Sequence, residues 1–289
     1  MLNTINKGQC QVEGGTIAFT VLNNNAQGVP IIVVPGGPGM PHNYLSCLAD
    51  QLGNHPVIFY DPLDCGLSDR TDNHELWSLD HFVGEIEALR RYLGLDCFHI
   101  YAHSFGTIIS FEYAITFPQG LERLILASPI LSVQRYRQDL LTLISTFPSF
   151  ERNVLHSLLV DSNSYSSDSI QQALAYFAEN HMCRLTVWPQ VLLEASMYTN
   201  TKLRNYLWGQ NDFEITGVLK NYDKLNYCAQ FENPTLLIAG EYDFITPKAC
   251  EYYASLMPNA VASQIDQAAH HACLESSHSH SQVVNDFLS

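Results

Sequence analysis

The run Ile100-Tyr101-Ala102-His103-Ser104-Phe105-Gly106-Thr107 carries the most concentrated chemistry in this 289-residue chain. An apolar, β-prone segment from Cys97 to Tyr101 stops there, a serine follows between small residues at minus two and plus two, and a helical pattern starts at once. A sharp strand-to-helix turn of this kind strains the serine backbone and brings strand and helix so close that only small flanking side chains fit. The expected pattern is Gly-x-Ser-x-Gly, with Ala102 in place of the first glycine. The competing role for Ser104 is a helix N-cap, common at such junctions.

Serine is a poor nucleophile at neutral pH, so a base must take its proton and a third group must hold that base in the right tautomer. Asp243 follows the apolar run Pro234 to Gly240, and His270 and His271 follow the run Ala260 to Ile265. Serine, aspartate and histidine therefore come in the chain order of a nucleophile-elbow enzyme, each just past a strand. Ser104 is the candidate nucleophile, Asp243 the candidate orienting acid, and His270 or its neighbour His271 the candidate base. Asp243 alone could turn the chain before Pro247, and either histidine could lie on the surface. A developing oxyanion needs two fixed donors, and the backbone N–H groups of Phe105 and Gly37 are the candidates, glycine there letting a substrate approach the main chain. A metal site built from His270, His271, His278 and His280 has no carboxylate or thiolate at ligand spacing, so neither a metal nor a cofactor is expected.

The elements that must position these residues are legible as an alternation. Gly14-Gly15 reads as a hairpin turn leading into the strand Thr16 to Val21. Ile31 to Val34 and Val57 to Tyr60 read as strands buried on both faces, with a helix over about Asn43 to Leu52 between them. Phe82, Ile86, Leu89 and Leu93 fall at helical spacing over Leu79 to Leu93, and the elbow helix runs to about Phe117. Leu124 to Ala127 is a further buried strand. Strand and helix in turn imply an α/β fold with a mostly parallel, doubly wound sheet. The rhythm breaks after Ser132. From 133 to 230 the periodicity is helical, with a polar interruption at Asp161 to Asp168, so this stretch is expected to be a helical cap inserted into a core made of 1–132 and 231–289. A final strand over Ala260 to Ile265 and a last helix close the chain.

Fourteen Lys and Arg against 29 Asp and Glu leave a net charge of −15, which argues against nucleic acid and anionic membrane surfaces as partners. That field favours a small molecule or short peptide bearing a cationic or free amine, although it also serves solubility alone. The eight cysteines lie far apart and read as buried free thiols of a reducing compartment. The start, Met1 to Lys7, lacks a signal-peptide core, so a cytoplasmic location is the expectation; oligomeric state is not readable.

With these residues in hand, the chain resembles the proline iminopeptidase (prolyl aminopeptidase) family of α/β-hydrolases, including the tricorn-interacting aminopeptidases. The likeness rests on Gly36-Gly37-Pro38-Gly39-Met40, matching a His-Gly-Gly-Pro-Gly loop; on Tyr60-Asp61 through Cys65-Gly66 and Ser68-Asp69; on Asn211 to Gly217; and on Gly240-Glu241-Tyr242-Asp243 with Thr246-Pro247. His270 lies five residues before Glu275, as the family histidine lies before its acidic partner, and the resemblance thereby selects His270 over His271. It implies release of an N-terminal residue, proline or apolar, from peptides or amides through an acyl-enzyme, with acidic cap residues gripping the free α-amine. Asp212 matches one such acid, shortened from glutamate, and Gly36 falls in the loop that would meet the substrate. Phe244 stands where the second acid is expected and suits a more apolar acyl group. Pro35 replaces the family histidine, and Pro62-Leu63-Asp64 a Gln-x-Gly run. The alternatives are an amidase or esterase acting on a small specialised metabolite, transfer of the acyl group to an acceptor other than water, and a binding protein whose serine is idle.

Overall fold

The computed structural model describes residues 6–160 and 165–289. Residues 1–5, which hold most of the stretch read as lacking a signal-peptide core, and 161–164, the first half of the expected polar interruption, lie outside the described residues.

Apolar runs too short for helices become the sheet. In chain order, β1 (Lys7–Val12), β2 (Gly15–Leu22), β3 (Ile31–Val34), α1 (Leu48–Gln51), β4 (Val57–Tyr60), α2 (Leu79–Tyr92), β5 (Phe98–His103), α3 (Phe105–Thr116) and β6 (Leu121–Ala127) form the first part. Among the described residues there follow α4 (Val133–Ile144), α5 (Ser149–Leu159), α6 (Ser167–Phe177) with a π-helical turn at Ala178–Met182, α7 (Gln190–Met197), α8 (Thr201–Leu207) and α9 (Leu225–Cys228). The chain then returns to β7 (Thr235–Gly240), α10 (Pro247–Ser255), β8 (Ala260–Ile265), α11 (Ala272–Glu275) and α12 (Ser277–Leu288). The eight strands lie in the order β1-β2-β4-β3-β5-β6-β7-β8. β1 and β2 pair antiparallel, as do β2 and β4, and every later pair is parallel. Every residue of β3, β4, β5 and β7 is buried. A strand covered on both faces has no side free for polar residues, which explains their unbroken hydrophobic or uncharged runs.

Two apolar layers hold the sheet, one per face. Phe82, Ile86 and Leu89 of α2 and Ile108, Ile109 and Phe111 of α3 pack into one; Leu45, Leu48, Val284 and Leu288 belong to the other. Each such side chain contributes about 1.5–3 kcal/mol relative to leaving it in water. The helix expected over Asn43 to Leu52 forms as a 3₁₀ turn at His42–Leu45 followed by the single turn α1, with Ser46 and Cys47 keeping right-handed helical dihedrals between them. The tighter winding lets Tyr44, Leu45 and Leu48 all face inward. All eight cysteines are free thiols, but Cys97 is exposed and Cys47 half-buried, contrary to the expectation that all are buried. Cys97 lies one residue before β5, where the chain is still crossing from the surface. Among the described residues no helix is long and apolar enough to cross a membrane.

One buried polar link ties α12 to the sheet. Tyr101 Oη lies 2.8 Å from His280 Nε2, and His280 Nδ1 lies 2.7 Å from Gln51 Oε1. The amide oxygen can only accept, so Nδ1 carries the proton and the neutral ring accepts from Tyr101. Burial pushes the His280 pKa down to about 3. Its unfolded value is about 6.5, so the stability tied to a neutral His280 is complete above that pH and is lost as pH falls toward the folded value. Replacing His280 with glutamine should therefore flatten the acid side of the stability curve by about 1.4 kcal/mol per pH unit between roughly pH 6 and 4. Urea unfolding of both proteins across that range measures the difference, and parallel curves would exclude His280 as a proton-linked group.

Candidate active site

Ser104 stands between β5 and α3 with φ 53° and ψ −123°. Such dihedrals cost a non-glycine residue about 1–3 kcal/mol and persist only where the surroundings over-determine them. Here the surroundings are backbone. Ser104 N–H donates to Ala127 O at 2.8 Å, and a Cβ placed on Gly106 would lie 2.5 Å from Pro35 O and 2.6 Å from Val34 O. The first helical turn thus rides directly on the end of β3, which is why residue 106 has no side chain, while Ala102, fully buried in β5, leaves room for its methyl. Although Ser104 occupies the N-cap position, its side chain makes no capping hydrogen bond.

Asp243 follows β7 and is buried. Its Oδ1 accepts from Ile245 N–H at 2.9 Å and lies 3.0 Å from His270 Nδ1, while its Oδ2 accepts from Ser128 Oγ at 2.5 Å. A carboxylate can only accept, so Nδ1 of His270 carries the proton and Nε2 keeps its lone pair. Of the two adjacent histidines, only His270 has this partner. The His271 ring is buried, its Nδ1 bonds to nothing among the described residues, and burial together with the neighbouring His270 and His103 rings holds its pKa well below the usual imidazole value. No hydrogen bond joins Ser104 Oγ to His270; both line one cleft of about 280 Å³. Catalytic contacts of this type commonly tighten only when substrate is bound.

Gly37 also borders the cleft, at φ +120°, where a Cβ would strike Gly39 N at 2.7 Å and Met40 N at 2.8 Å. The N–H groups of Gly37 and Phe105 have no acceptor among the described residues. Gly36 is engaged differently, its N–H donating to Tyr44 Oη at 2.8 Å. Phe244 reaches the cleft with its ring 4.4 Å from that of His270, backed by Phe177 and Tyr136. Asp212 is there too, but not as a lone anion: its Oδ1 accepts from Arg204 Nη2 at 3.1 Å, and Arg204 lines the same cleft. His278 is exposed and His280 is held by Tyr101 and Gln51; among the described residues no group of three His, Cys, Asp or Glu side chains could hold a metal ion.

Sequence reasoning missed several participants. Ser128 is the first residue past β6, the strand-end position already used to find Asp243 and His270, and that rule could have found it. Arg204, Met182 and Trp188, which line the cleft from the helical segment, carried no such signal, because their approach to Ser104 depends on how helices fold back over the sheet. Asn200 fastens that segment down: its N–H donates to Gly39 O at 2.9 Å and its Nδ2 to Asp64 O at 3.0 Å. The Asp61 to Asp69 motif serves as scaffold rather than as reacting groups. Asp61 accepts from His42 and Leu67, Asp64 from Thr71, Asp72 and Trp77, and Ser68 donates back to Asp61 O.

A family model described as the alpha/beta hydrolase fold matches residues 29–277. The chain is 33% identical over 283 residues to a proline iminopeptidase of Heyndrickxia coagulans, covering 98% of each chain. It is 28% identical over 264 residues to a proline iminopeptidase of Clostridium botulinum, covering 90% of this chain and 89% of that one. The crystal structure of the proline iminopeptidase of Mycobacterium smegmatis superposes with a TM-score of 0.90 at 26% identity, over 98% of this chain and 97% of that chain.

Glu275 holds the His270 loop from outside the cleft. Its carboxylate accepts from the N–H groups of Ala269 at 3.1 Å, His271 at 3.0 Å and Arg184 at 2.8 Å, so one side chain grips both neighbours of His270 and a residue of the helical segment. Removing it with Glu275→Ala leaves three donors without their partner. The expected loss is about 1.5–3 kcal/mol of unfolding free energy, with faster hydrogen exchange at the Ala269, His271 and Arg184 amides. Unchanged protection at those amides would show that the loop is held by something else.

Proposed function

Since the chain belongs to the α/β-hydrolase family, and within it to the proline iminopeptidases, we propose that it is a serine hydrolase that releases an N-terminal residue, proline or apolar, from short peptides or aminoacyl amides. The observation that carries this reading is the 3.0 Å contact of Asp243 with His270 in the wall of the cleft that also holds Ser104 and Asp212.

In the proposed mechanism His270 Nε2 takes the proton of Ser104 Oγ as that oxygen attacks the scissile carbonyl. Asp243 keeps the imidazole in the required tautomer and stabilises the imidazolium as it forms; Ser128 and the Ile245 N–H hold the carboxylate for that task. The negative charge that develops on the carbonyl oxygen is met by the N–H groups of Gly37 and Phe105, backbone donors of the kind that stabilise such charge when fixed in place. His270 then returns the proton to the leaving amine, and a water deacylates Ser104 by the same route. The core of 1–132 and 231–289 supplies these groups, and segment 133–230 serves as a cap that bounds the acyl group.

The free amine of the substrate is proposed to meet Asp212. An ammonium against a carboxylate forms charge-assisted hydrogen bonds, and a chain extended beyond the amine would have to displace them. Arg204 shares that carboxylate, so the amine site is less anionic than a lone acid would be. Phe244, Trp188 and Met182 give the acyl side an apolar wall suited to a pyrrolidine ring or an aliphatic side chain. The same pair of facts, an aromatic at 244 and a half-neutralised Asp212, favours the second reading, an amidase or esterase for a small apolar acyl group.

Two substitutions test the assignment. Ser104→Ala should lower turnover of prolyl and other aminoacyl chromogenic amides by at least about ten-thousand-fold. Asp212→Ala should raise KM for free-amine substrates by a factor worth about 1.5–3 kcal/mol while leaving N-acetylated counterparts unaffected. If wild type cleaves blocked and free-amine substrates alike, the second reading replaces the first.

A further inference from the structure

Four side-chain and backbone groups that take no part in the mechanism above form a single hydrogen-bonded chain along the wall of the cleft, which Tyr44 and His103 help to line. Gly36 N–H donates to Tyr44 Oη at 2.8 Å, Tyr44 Oη lies 2.9 Å from His103 Nδ1, and His103 Nε2 lies 2.8 Å from His270 O. Tyr44 is fully buried and His103 is 3% exposed. The direction of each bond follows from the two ends. The peptide N–H of Gly36 can only donate and the carbonyl of His270 can only accept, so Nε2 carries the His103 proton, Nδ1 is a bare acceptor, and the Tyr44 hydroxyl hydrogen points to it. Every polar atom in the chain is then satisfied with His103 neutral. Burial, with the His270 ring 4.6 Å away, holds the His103 pKa well below the imidazole range, so this arrangement persists at neutral pH.

What gives the chain its interest is where it begins and ends. Gly36 precedes Gly37, His103 precedes Ser104, and the carbonyl at the far end belongs to His270 itself. These three stretches come from three strand ends, after β3, β5 and β8, and the Tyr44–His103 pair links them. Space has been left for it: a Cβ on Gly36 would lie 3.0 Å from Tyr44 Oη, 3.0 Å from His103 O and 3.1 Å from Ser104 Cβ.

We propose that Tyr44 and His103 are positioning residues that set the oxyanion donor at Gly37, the nucleophile Ser104 and the base His270 in mutual register. A loop displaced by even a fraction of an ångström misaligns a donor whose value lies in its fixed direction, whereas substrate binding, which uses the cap and Asp212, is barely touched. The proposal rests on the active-site reading given under Proposed function.

The test compares Tyr44→Phe, His103→Phe and His103→Gln with wild type, using a prolyl chromogenic amide and a p-nitrophenyl ester. Tyr44→Phe and His103→Phe should each lower kcat by about 10–100-fold with KM changed less than about threefold, the range expected when a group that orients a reacting residue is lost. Glutamine can accept from Tyr44 and donate to the His270 carbonyl, so His103→Gln should recover most of the lost kcat. A kcat equal to wild type in both phenylalanine variants overturns the proposal, as does a loss in all three that tracks the melting temperature without rescue by glutamine. Nitrogen NMR of ¹⁵N-histidine-labelled wild type keeps the question open to decision even if a phenylalanine variant fails to fold. His103 should show a protonated Nε2, a bare Nδ1 and no titration from pH 5 to 8, and a protonated Nδ1 would overturn the relay. Failure of wild type to turn over any substrate through Ser104 would instead strike the functional reading, which the nitrogen spectrum does not depend on.

Discussion

The close approach of Gly106 to the carbonyls of Val34 and Pro35 is the constraint from which the rest follows. It allows α3 to start on top of the ends of β3 and β5 rather than beyond them, and the serine between strand and helix then has no choice but a positive φ. The cost of that conformation is local, about 1–3 kcal/mol, and is offset by a sheet whose central strands are buried on both faces. In return Ser104 lines the cleft. A serine with relaxed dihedrals would point its side chain back at the helix as a cap, which Ser104 does not do.

Given that elbow, parallel strands do the remaining assembly. Loops after β3, β6, β7 and β8 all emerge at the same edge, so Gly37, Ser128, Asp243 and His270 converge although they lie far apart in the chain. Their convergence is then made rigid by hydrogen bonds whose donors and acceptors admit one arrangement each. Asp243 is filled by Ser128, Ile245 and His270; the loop of His270 is clasped by Glu275 outside and meets the Tyr44–His103 chain inside. Buried networks of this kind stabilise only when every member is satisfied, since an unpaired buried donor costs about 1–3 kcal/mol. His271 is the exception, a buried ring with an unbonded Nδ1 beside the site.

Charge acts at two ranges. Over the whole surface the excess of acidic residues favours approach of an amine-bearing molecule. Inside the cleft the balance is nearly neutral, because Arg204 lies against Asp212 and an aromatic ring occupies 244. The surface excess of acid and the charge balance of the cleft are therefore set by different residues, and only the first was visible as composition.

Much of the molecule was written in short-range pattern. Four-residue apolar runs bounded by turns read as buried strands, small residues flanking Ser104 announced a tight turn, and the rule that candidate groups follow strand ends pointed to Asp243 and the histidine pair, of which His270 meets Asp243. The helix expected over Asn43 to Leu52 is instead split into a 3₁₀ turn and a single α turn, a difference in winding that apolar spacing over so short a stretch does not reveal. Tertiary structure decided what no spacing could encode. It set Arg204 against Asp212 across eight residues of sequence, brought Trp188 and Met182 to the cleft, and put Tyr44 within a hydrogen bond of His103. A sequence specifies which side chains can do chemistry and which segments are strands or helices; which of them meet is fixed by chain crossings that bring distant residues within about 3 Å, the range at which hydrogen bonds choose their partners.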